Sequence, residues 1–116
     1  MEKEVIRPWG KYQVIFKSAA FLIKIITINP KCRISLQYHK HRDEFWYILD
    51  GRGVVTRNSK ISLVKPKKCV IITRNMQHRI YNDSDGDNNL VFLEIQTGII
   101  KLDEHDIVRI QDDYGR

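Results

Sequence analysis

The chain has 116 residues, enough for one domain with a modest hydrophobic core. Its net charge is +6, but the basic residues are scattered and not interleaved with stacking aromatic residues, which argues against a nucleic-acid-binding protein. No apolar run reaches membrane-spanning length, and the charged N-terminus does not resemble a signal peptide, so we expect a cytoplasmic protein without a membrane partner.

Short segments rich in β-branched and aromatic residues recur along the chain, with turn signals between them. After an N-terminal arm that ends in a Pro-Trp-Gly turn, strands are predicted at residues 11–17, 21–28, 32–39, 44–50, 53–57, 61–64, 69–73, 78–82 and 90–96. Apolar residues at 107–110 indicate that the C-terminal tail docks on the domain. Without a convincing amphipathic helix, this pattern predicts an all-β antiparallel sandwich or barrel.

Histidines are concentrated in two of these segments. In an extended strand alternate side chains face the same side, so Gln37, His39 and His41 would project together, and Glu44 follows three positions after His41. A His-x-His pair alone is a weak signal, because surface strands carry such pairs by chance. His78 follows a second tight turn and strengthens the signal, since three imidazoles and a carboxylate suit a divalent metal and leave a position for water or substrate. We therefore predict one divalent ion, with zinc as the first choice; manganese, cobalt, nickel and iron also accept these ligands.

The first of these segments resembles the first motif of the cupins. In HKHRDEFWYILDG, the His-x-His pair and Glu44 are followed by six residues and then by Gly51, as is usual in cupins. The gap between His41 and Glu44 is only two residues, where cupins usually have three or four.

The second segment resembles the second cupin motif. His78 and Asn82 stand in their usual places, whereas Lys67, Thr73 and Asn75 occupy positions that usually carry glycine, proline and glycine. Asparagine is the non-glycine residue that best tolerates a left-handed turn, so the loop can keep its shape. The resemblance implies a double-stranded β-helix, or jelly-roll barrel, over residues 1–116, with an N-terminal arm and a docked C-terminal tail.

Within the cupins, the chain resembles the type II mannose-6-phosphate isomerase domain over nearly its whole length. The shared motifs are RPWGKY at 7–12, SLQYHKHRDEFW at 35–46, HRIYN at 78–82, EIQTG at 94–98 and DIVRIQDDYGR at 106–116. The connection between Gly98 and Leu102 looks one residue longer than the family suggests. Such domains usually form the C-terminal part of a bifunctional protein with a mannose-1-phosphate guanylyltransferase. The Gly-rich motif of that enzyme is missing here, so we do not expect this chain to make GDP-mannose by itself.

The resemblance implies metal-dependent interconversion of mannose 6-phosphate and fructose 6-phosphate through an enediol, which would feed GDP-mannose and polysaccharide synthesis. Gln37 and Glu94 are expected to face the cavity, with Glu94 as a candidate base whose pKa burial would raise. An ion pair of Glu94 with Lys24 or an arginine is the alternative. Candidates for phosphate contact are Lys24, Arg42, Arg79 and Arg109. Several of these can instead be solvated surface charges, and His105 is expected to be exposed.

Two other classes of function remain open from the sequence. The first is another cupin enzyme, such as a sugar-nucleotide epimerase that uses a His–Asp pair or an iron-dependent oxygenase. The second is a non-catalytic module that binds a sugar phosphate or partners a separate guanylyltransferase. In either case we expect a homodimer, because small barrels with exposed edges and arms often pair.

Overall fold

The computed structural model describes residues 2–98 and 106–116, and within these ranges every regular element is a β-strand. The strands are β1 (Val5–Arg7), β2 (Gly10–Lys17), β3 (Phe21–Ile28), β4 (Leu36–Tyr38), β5 (Asp43–Asp50), β6 (Gly53–Arg57), β7 (Lys60–Val64), β8 (Cys69–Ile72), β9 (His78–Tyr81), β10 (Leu90–Thr97) and β11 (Val108–Gln111). The all-β prediction is confirmed. Among the described residues there is no helix long and apolar enough to cross a lipid bilayer.

The strands form two antiparallel sheets that face each other. One sheet has six strands in the order β1-β2-β3-β10-β5-β8, and the other has five in the order β11-β4-β9-β6-β7. From β3 onwards, strands that follow each other in sequence lie in opposite sheets, except for the hairpin of β6 and β7. The chain therefore winds around one interior, as expected for a double-stranded β-helix.

Most predicted strand bounds agree with the structure to within one or two residues, but the predicted strand 32–39 is shorter. Only Leu36–Tyr38 forms a strand, and residue 33 makes an isolated bridge to Tyr81. The C-terminal tail does dock, because β11 pairs with β4 at the edge of the five-stranded sheet. The predicted arm also joins a sheet, since β1 pairs with β2.

The interior is apolar at one end and polar at the other. Inward positions of β10 run from Leu90 and Phe92 to Glu94 and Gln96, all of them buried. The same change occurs along the other strands that cross the interior: Ile28 and Ile26 give way to Lys24 on β3, Ile48 and Trp46 to Glu44 on β5, and Ile80 to His78 on β9. Each of these four strands therefore contributes apolar side chains to the core at one end and polar side chains to a candidate site at the other.

The turn positions inferred from the cupin motifs have the backbone that glycine normally supplies. Gly51 has φ 77°, and a Cβ there would lie 2.2 Å from the carbonyl oxygen of Asn89. Lys67 and Asn75, which stand where glycine is usual, have φ 77° and 65°. The second loop therefore keeps the expected left-handed turns without glycine, at a cost of about 1–2 kcal/mol at a residue such as lysine.

Candidate metal centre

His39, Glu44 and His78 form a buried group at the polar end of the interior. One ligand atom from each lies within 4.8 Å of the others, in a geometry that could hold a metal ion. His39 directly follows β4, His78 begins β9, and Glu44 is the second residue of β5 in the opposite sheet. The group therefore exists only because the two sheets face each other.

Both imidazoles are oriented by backbone carbonyl groups. His39 Nδ1 is 2.6 Å from the carbonyl oxygen of Asp106, and His78 Nδ1 is 2.9 Å from that of Met76. A carbonyl can only accept, so each Nδ1 carries the proton and donates, and Nε2 of the neutral ring then keeps its lone pair. Metal-binding histidines are commonly held in this way. Burial also lowers the pKa of His78 to about 4, which keeps this ring neutral.

Glu44 is the anionic member of the group. Its Oε1 accepts a hydrogen bond from Trp46 Nε1 at 2.9 Å, and its Oε2 accepts one from Arg42 Nε at 2.8 Å. Burial favours the protonated acid, but the charge of the Arg42 guanidinium outweighs this and holds the pKa of Glu44 well below its usual value. The carboxylate therefore stays ionised in a buried position.

The ligand atoms of His39, Glu44 and His78 together favour a cation. With the proton on Nδ1, the lone pair of His39 Nε2 faces Glu44 Oε2 at 3.1 Å, and two acceptors at this distance repel each other unless a positive group lies between them. The Arg42 guanidinium meets this need, because its second nitrogen is also 3.2 Å from His39 Nε2. Two imidazole nitrogens and a carboxylate are equally suited to a divalent ion, so the residues present fit one.

The structure does not place His41 in the group. β4 ends at Tyr38 and residues 40 and 41 form a bend, so the predicted alternation stops and the side chain of His41 is exposed. The pair that shares the inward side is Gln37 and His39, both buried, and four residues then separate His39 from Glu44. A gap of four residues before the glutamate is usual in cupins. The gap of two residues between His41 and Glu44 was therefore the signal that the inward pair is Gln37 and His39, two residues earlier than predicted.

Gln37 lies two residues before His39, at the inward position where the cupin motif has its first histidine. Its Nε2 donates to the hydroxyl of Ser35 at 3.1 Å and to the Ser35 carbonyl at 3.3 Å. The amide oxygen is then the atom that can bind a cation or a sugar hydroxyl from the cavity wall. Gln37 therefore lies at the cavity, as expected, and can serve as a fourth ligand.

The group opens onto a cavity of about 110 Å³ with an excess of basic side chains. The basic residues that line it are Arg7, Lys24, Arg42, Arg109 and Arg116. The acidic residues are Glu44 and Glu94. Apolar walls lower the local dielectric, so these charges act more strongly on an anion than they would in water.

Glu94 and Lys24 face each other on the cavity wall, at paired positions of β10 and β3. Burial, followed by the nearby Glu44 carboxylate, raises the pKa of Glu94 to about 7. Gln96 Nε2 donates to Glu94 Oε2 at 2.9 Å and orients the carboxyl group. The pKa of Lys24 is lowered by burial, and its Nζ lies 4.1 Å above the ring of Tyr12. Glu94 thus has the raised pKa expected for the base, and Lys24 acts on it electrostatically from the neighbouring strand.

Of the four predicted phosphate contacts, Arg79 is placed elsewhere. His78 points into the interior, so the next side chain of β9 points to the opposite face of its sheet. There Arg79 Nε donates to the carbonyl of Ile34 at 2.9 Å, and a second nitrogen donates to that of Gln111 at 3.3 Å. Arg79 therefore ties the C-terminal strand down. Lys24, Arg42 and Arg109 do line the cavity.

Sequence reasoning missed two arginines from the ends of the chain. Arg7, on the N-terminal arm, lies against the ring of Tyr12, and Arg116 is held by Asp112; both line the cavity. The motifs RPWGKY and DYGR contained the signal, but no role follows from sequence position alone. The expectations for His105 and for the connection between residues 98 and 102 fall on residues outside the described ranges.

The fold and the centre define the class of protein. The cupin domain of Cnp3 from Schizosaccharomyces pombe superposes with a TM-score of 0.70 at 20% identity, covering 76% of this chain and 64% of that one. A putative sugar phosphate isomerase from Acidithiobacillus ferrooxidans superposes with a TM-score of 0.60 at 28% identity, covering 67% and 50%. The protein has the cupin fold, as expected from its two motifs.

The family follows from the sequence matches. Residues 1–112 match the family described as Mannose-6-phosphate isomerase C-terminal, and the chain belongs to this family. The xanthan biosynthesis protein XanB of Xanthomonas campestris is 39% identical over 98% of this chain, and a mannose-1-phosphate guanylyltransferase of Klebsiella pneumoniae is 40% identical over the same share. The chain spans 24% of the length of each of these relatives.

Proposed function

We propose that this chain is a metal-dependent sugar-phosphate isomerase that interconverts mannose 6-phosphate and fructose 6-phosphate through an enediol. One observation carries the proposal: Glu44 and His78 of the candidate metal group and the buried carboxyl of Glu94 line a single cavity with an excess of positive charge. Membership of the family and the structural likeness to a putative sugar phosphate isomerase support it.

The excess of positive charge accounts for the phosphate. Five basic side chains and two acidic side chains line the cavity, and this net positive charge favours a phosphate dianion. Guanidinium groups give paired donors to phosphate oxygens, and three of the lining arginines lie on the chain's terminal segments, Arg7 at one end and Arg109 and Arg116 at the other. We assign the phosphate to this side of the cavity.

Glu94 is proposed as the group that moves the proton. An aldose–ketose shift removes a proton from C2 and delivers one to C1, while a second proton passes between the two oxygens. A single carboxylate can take the first proton and return it to the neighbouring carbon if it lies beside both. Glu94 is buried, is oriented by Gln96 and is close to Lys24, which can favour its ionised form.

The metal would be held by His39, Glu44 and His78, with the amide oxygen of Gln37 as an additional ligand. When bound, a divalent ion supplies positive charge for the two sugar oxygens on which negative charge develops. The residues around it exclude bulk water, since Trp46 and Phe92 form the apolar floor of the same cavity.

A coupled assay tests the proposal directly. Purified protein treated with a chelator and then reloaded with zinc, manganese, cobalt, nickel or iron(II) is given mannose 6-phosphate, and fructose 6-phosphate is measured. We expect turnover with at least one metal and none after chelation. No turnover above background at saturating metal rejects the isomerase.

Glu94→Gln then tests the assigned base. The amide keeps the size and the bond from Gln96 but cannot accept the proton, so we expect kcat to fall by roughly 100-fold or more with metal affinity retained. Glu4→Gln is the matched control, because that carboxylate is exposed and pairs with Lys11 outside the cavity. Unchanged kcat in Glu94→Gln would show that another group moves the proton.

A second candidate function is favoured by the size of the relatives. Their names describe a guanylyltransferase and a xanthan biosynthesis protein about four times as long as this chain, so the cupin can serve as a sugar-phosphate-binding partner of a separate nucleotidyltransferase. That candidate predicts binding of mannose 6-phosphate by calorimetry with no turnover at any metal loading. The isomerase predicts both, and its product would supply the synthesis of GDP-mannose and of polysaccharide.

A further inference from the structure

Asp106 contacts three consecutive residues at the metal centre. Its backbone carbonyl accepts from His39 Nδ1 at 2.6 Å, its Oδ1 accepts from the backbone N–H of Lys40 at 2.9 Å, and its Oδ2 accepts from that of His41 at 3.0 Å. Asp106 lies 65 to 67 positions away in sequence and two positions before β11, the strand that pairs with β4. Asp106 thus accepts hydrogen bonds from both the backbone of this bend and the His39 ring.

The turn needs such a partner. β4 ends at Tyr38, and residues 40 and 41 form a bend, so their N–H groups have no neighbour in the sheet. Unpaired N–H groups favour water or another conformation, and a bend without partners would leave the His39 ring free to rotate. A carboxylate that accepts two consecutive N–H groups holds the backbone while the carbonyl of the same residue holds the ring.

We infer that Asp106 is a positioning residue for the metal centre: it fixes the bend at residues 40–41 and keeps His39 in the tautomer whose Nε2 can bind a metal. The inference rests on the metal centre of the proposed function but not on the isomerase reaction. It also links the C-terminal segment to the centre, since Ile107 and Arg109 of that segment line the cavity. Loss of the Asp106 contacts should therefore loosen the ligand and one wall of the cavity together.

The chain contains a matched control in the same segment. Asp113 makes a two-point ion pair with Arg33, at 2.6 and 2.9 Å, and this pair also fastens the tail but touches no residue of the centre. Both side chains are partly exposed, so solvent screens the ion pair and it contributes little to stability. Asp113→Ala thus weakens tail docking without removing the contacts of Asp106.

The test measures zinc affinity of the chelator-treated protein by competition with a chromophoric chelator. For Asp106→Ala we expect a loss of roughly 10- to 100-fold, the usual effect of removing a group that orients a metal ligand. Asp106→Asn keeps one acceptor and should fall between Asp106→Ala and the wild type. Asp113→Ala should stay within about twofold of the wild type. Wild-type affinity in Asp106→Ala, or an equal loss in Asp113→Ala, would overturn the inference.

A second readout does not depend on the variants. Imidazole ¹⁵N chemical shifts of the metal-free wild type should show His39 with the proton on Nδ1. A wild-type ring protonated on Nε2 would overturn the inference, even if Asp106→Ala does not fold. Isomerase activity is assayed separately, so zinc binding that depends on Asp106 without turnover would reject the proposed reaction and retain this inference.

Discussion

The two ends of the interior are built from the same strands but obey different requirements. At the apolar end, Ile28, Ile48, Val55, Ile80 and Leu90 are fully buried and need only fill space. At the polar end, buried side chains such as Glu44, His78 and Glu94 each need particular partners. Burial of apolar surface stabilises the fold, whereas burial of polar and charged groups costs free energy unless they are paired. Burial at the apolar end therefore offsets the free-energy cost of burying charged and polar side chains at the polar end.

The largest expected effect is on stability, at the apolar end. Phe92 is 1% exposed and packs against Trp46 in a tilted arrangement with a centroid distance of 5.0 Å, so Phe92→Ala leaves a cavity that the two sheets cannot close. We expect the free energy of unfolding to fall by about 3–5 kcal/mol in urea denaturation. Phe16→Ala is the control, because Phe16 is 49% exposed and should cost far less. Equal losses for the two variants would contradict the division between core and surface.

The next effect is on function, at the polar end. His39→Ala removes a buried candidate ligand, so we expect activity and zinc affinity to fall by roughly 100-fold or more while the protein stays folded. His41→Ala removes an exposed ring outside the group and should change either quantity by no more than about twofold. The pair of variants separates the two histidines of the motif, and a comparable loss in His41→Ala would restore it as a ligand.

Substitution of Lys24 should raise the stability of the fold and lower the activity. Lys24→Met keeps the length of the side chain and removes a buried charge, so we expect the free energy of unfolding near neutral pH to rise by about 1 kcal/mol while activity falls. Lys17→Met, on the exposed end of β2, should change neither. A clear loss of stability in Lys24→Met would instead favour the structural ion pair between Lys24 and Glu94.

The gain in stability should depend on pH in a defined direction. Burial lowers the pKa of Lys24 below its usual 10.5, so between these two values the unfolded chain binds more protons than the folded chain. The contribution of the wild-type lysine is therefore fully present above pH 10.5 and is lost as the pH falls through the lowered value. Unfolding measured over this alkaline range should show the difference between Lys24→Met and the wild type shrinking as the pH rises.

The smallest effect is expected in the loops. Lys67 has φ 77° and an exposed side chain, so Lys67→Gly relieves a left-handed conformation that lysine tolerates poorly. We expect a gain of about 1 kcal/mol in the free energy of unfolding, reduced by the greater flexibility of glycine in the unfolded chain. Lys68→Gly, at the neighbouring exposed position with φ below zero, should lose stability in the same measurement.

The strands and turns could be derived from the sequence because they depend on local preferences. Alternation of β-branched and aromatic residues located β3 and β6 at their observed bounds, and the motif spacing located Gly51 and the left-handed Asn75. The chemical types at the centre were also readable, since imidazole and carboxylate groups carry the same ligand atoms in any fold. Three of the four predicted ligands, His39, Glu44 and His78, lie together in the structure.

What remained was decided by contacts between segments far apart in the chain. The bend after Tyr38 is held by Asp106, and this contact, which no local pattern encodes, turns His41 to solvent and leaves Gln37 and His39 facing inward. In the same way, Arg7 and Arg116 meet at one cavity only because both termini dock beside it, while Arg79 is directed to backbone carbonyls. The sequence by itself determined which groups were available and where the strands lay. Only the packing of the sheets and termini decided which groups met, because side-chain direction at a bend and proximity across sheets depend on tertiary hydrogen bonds.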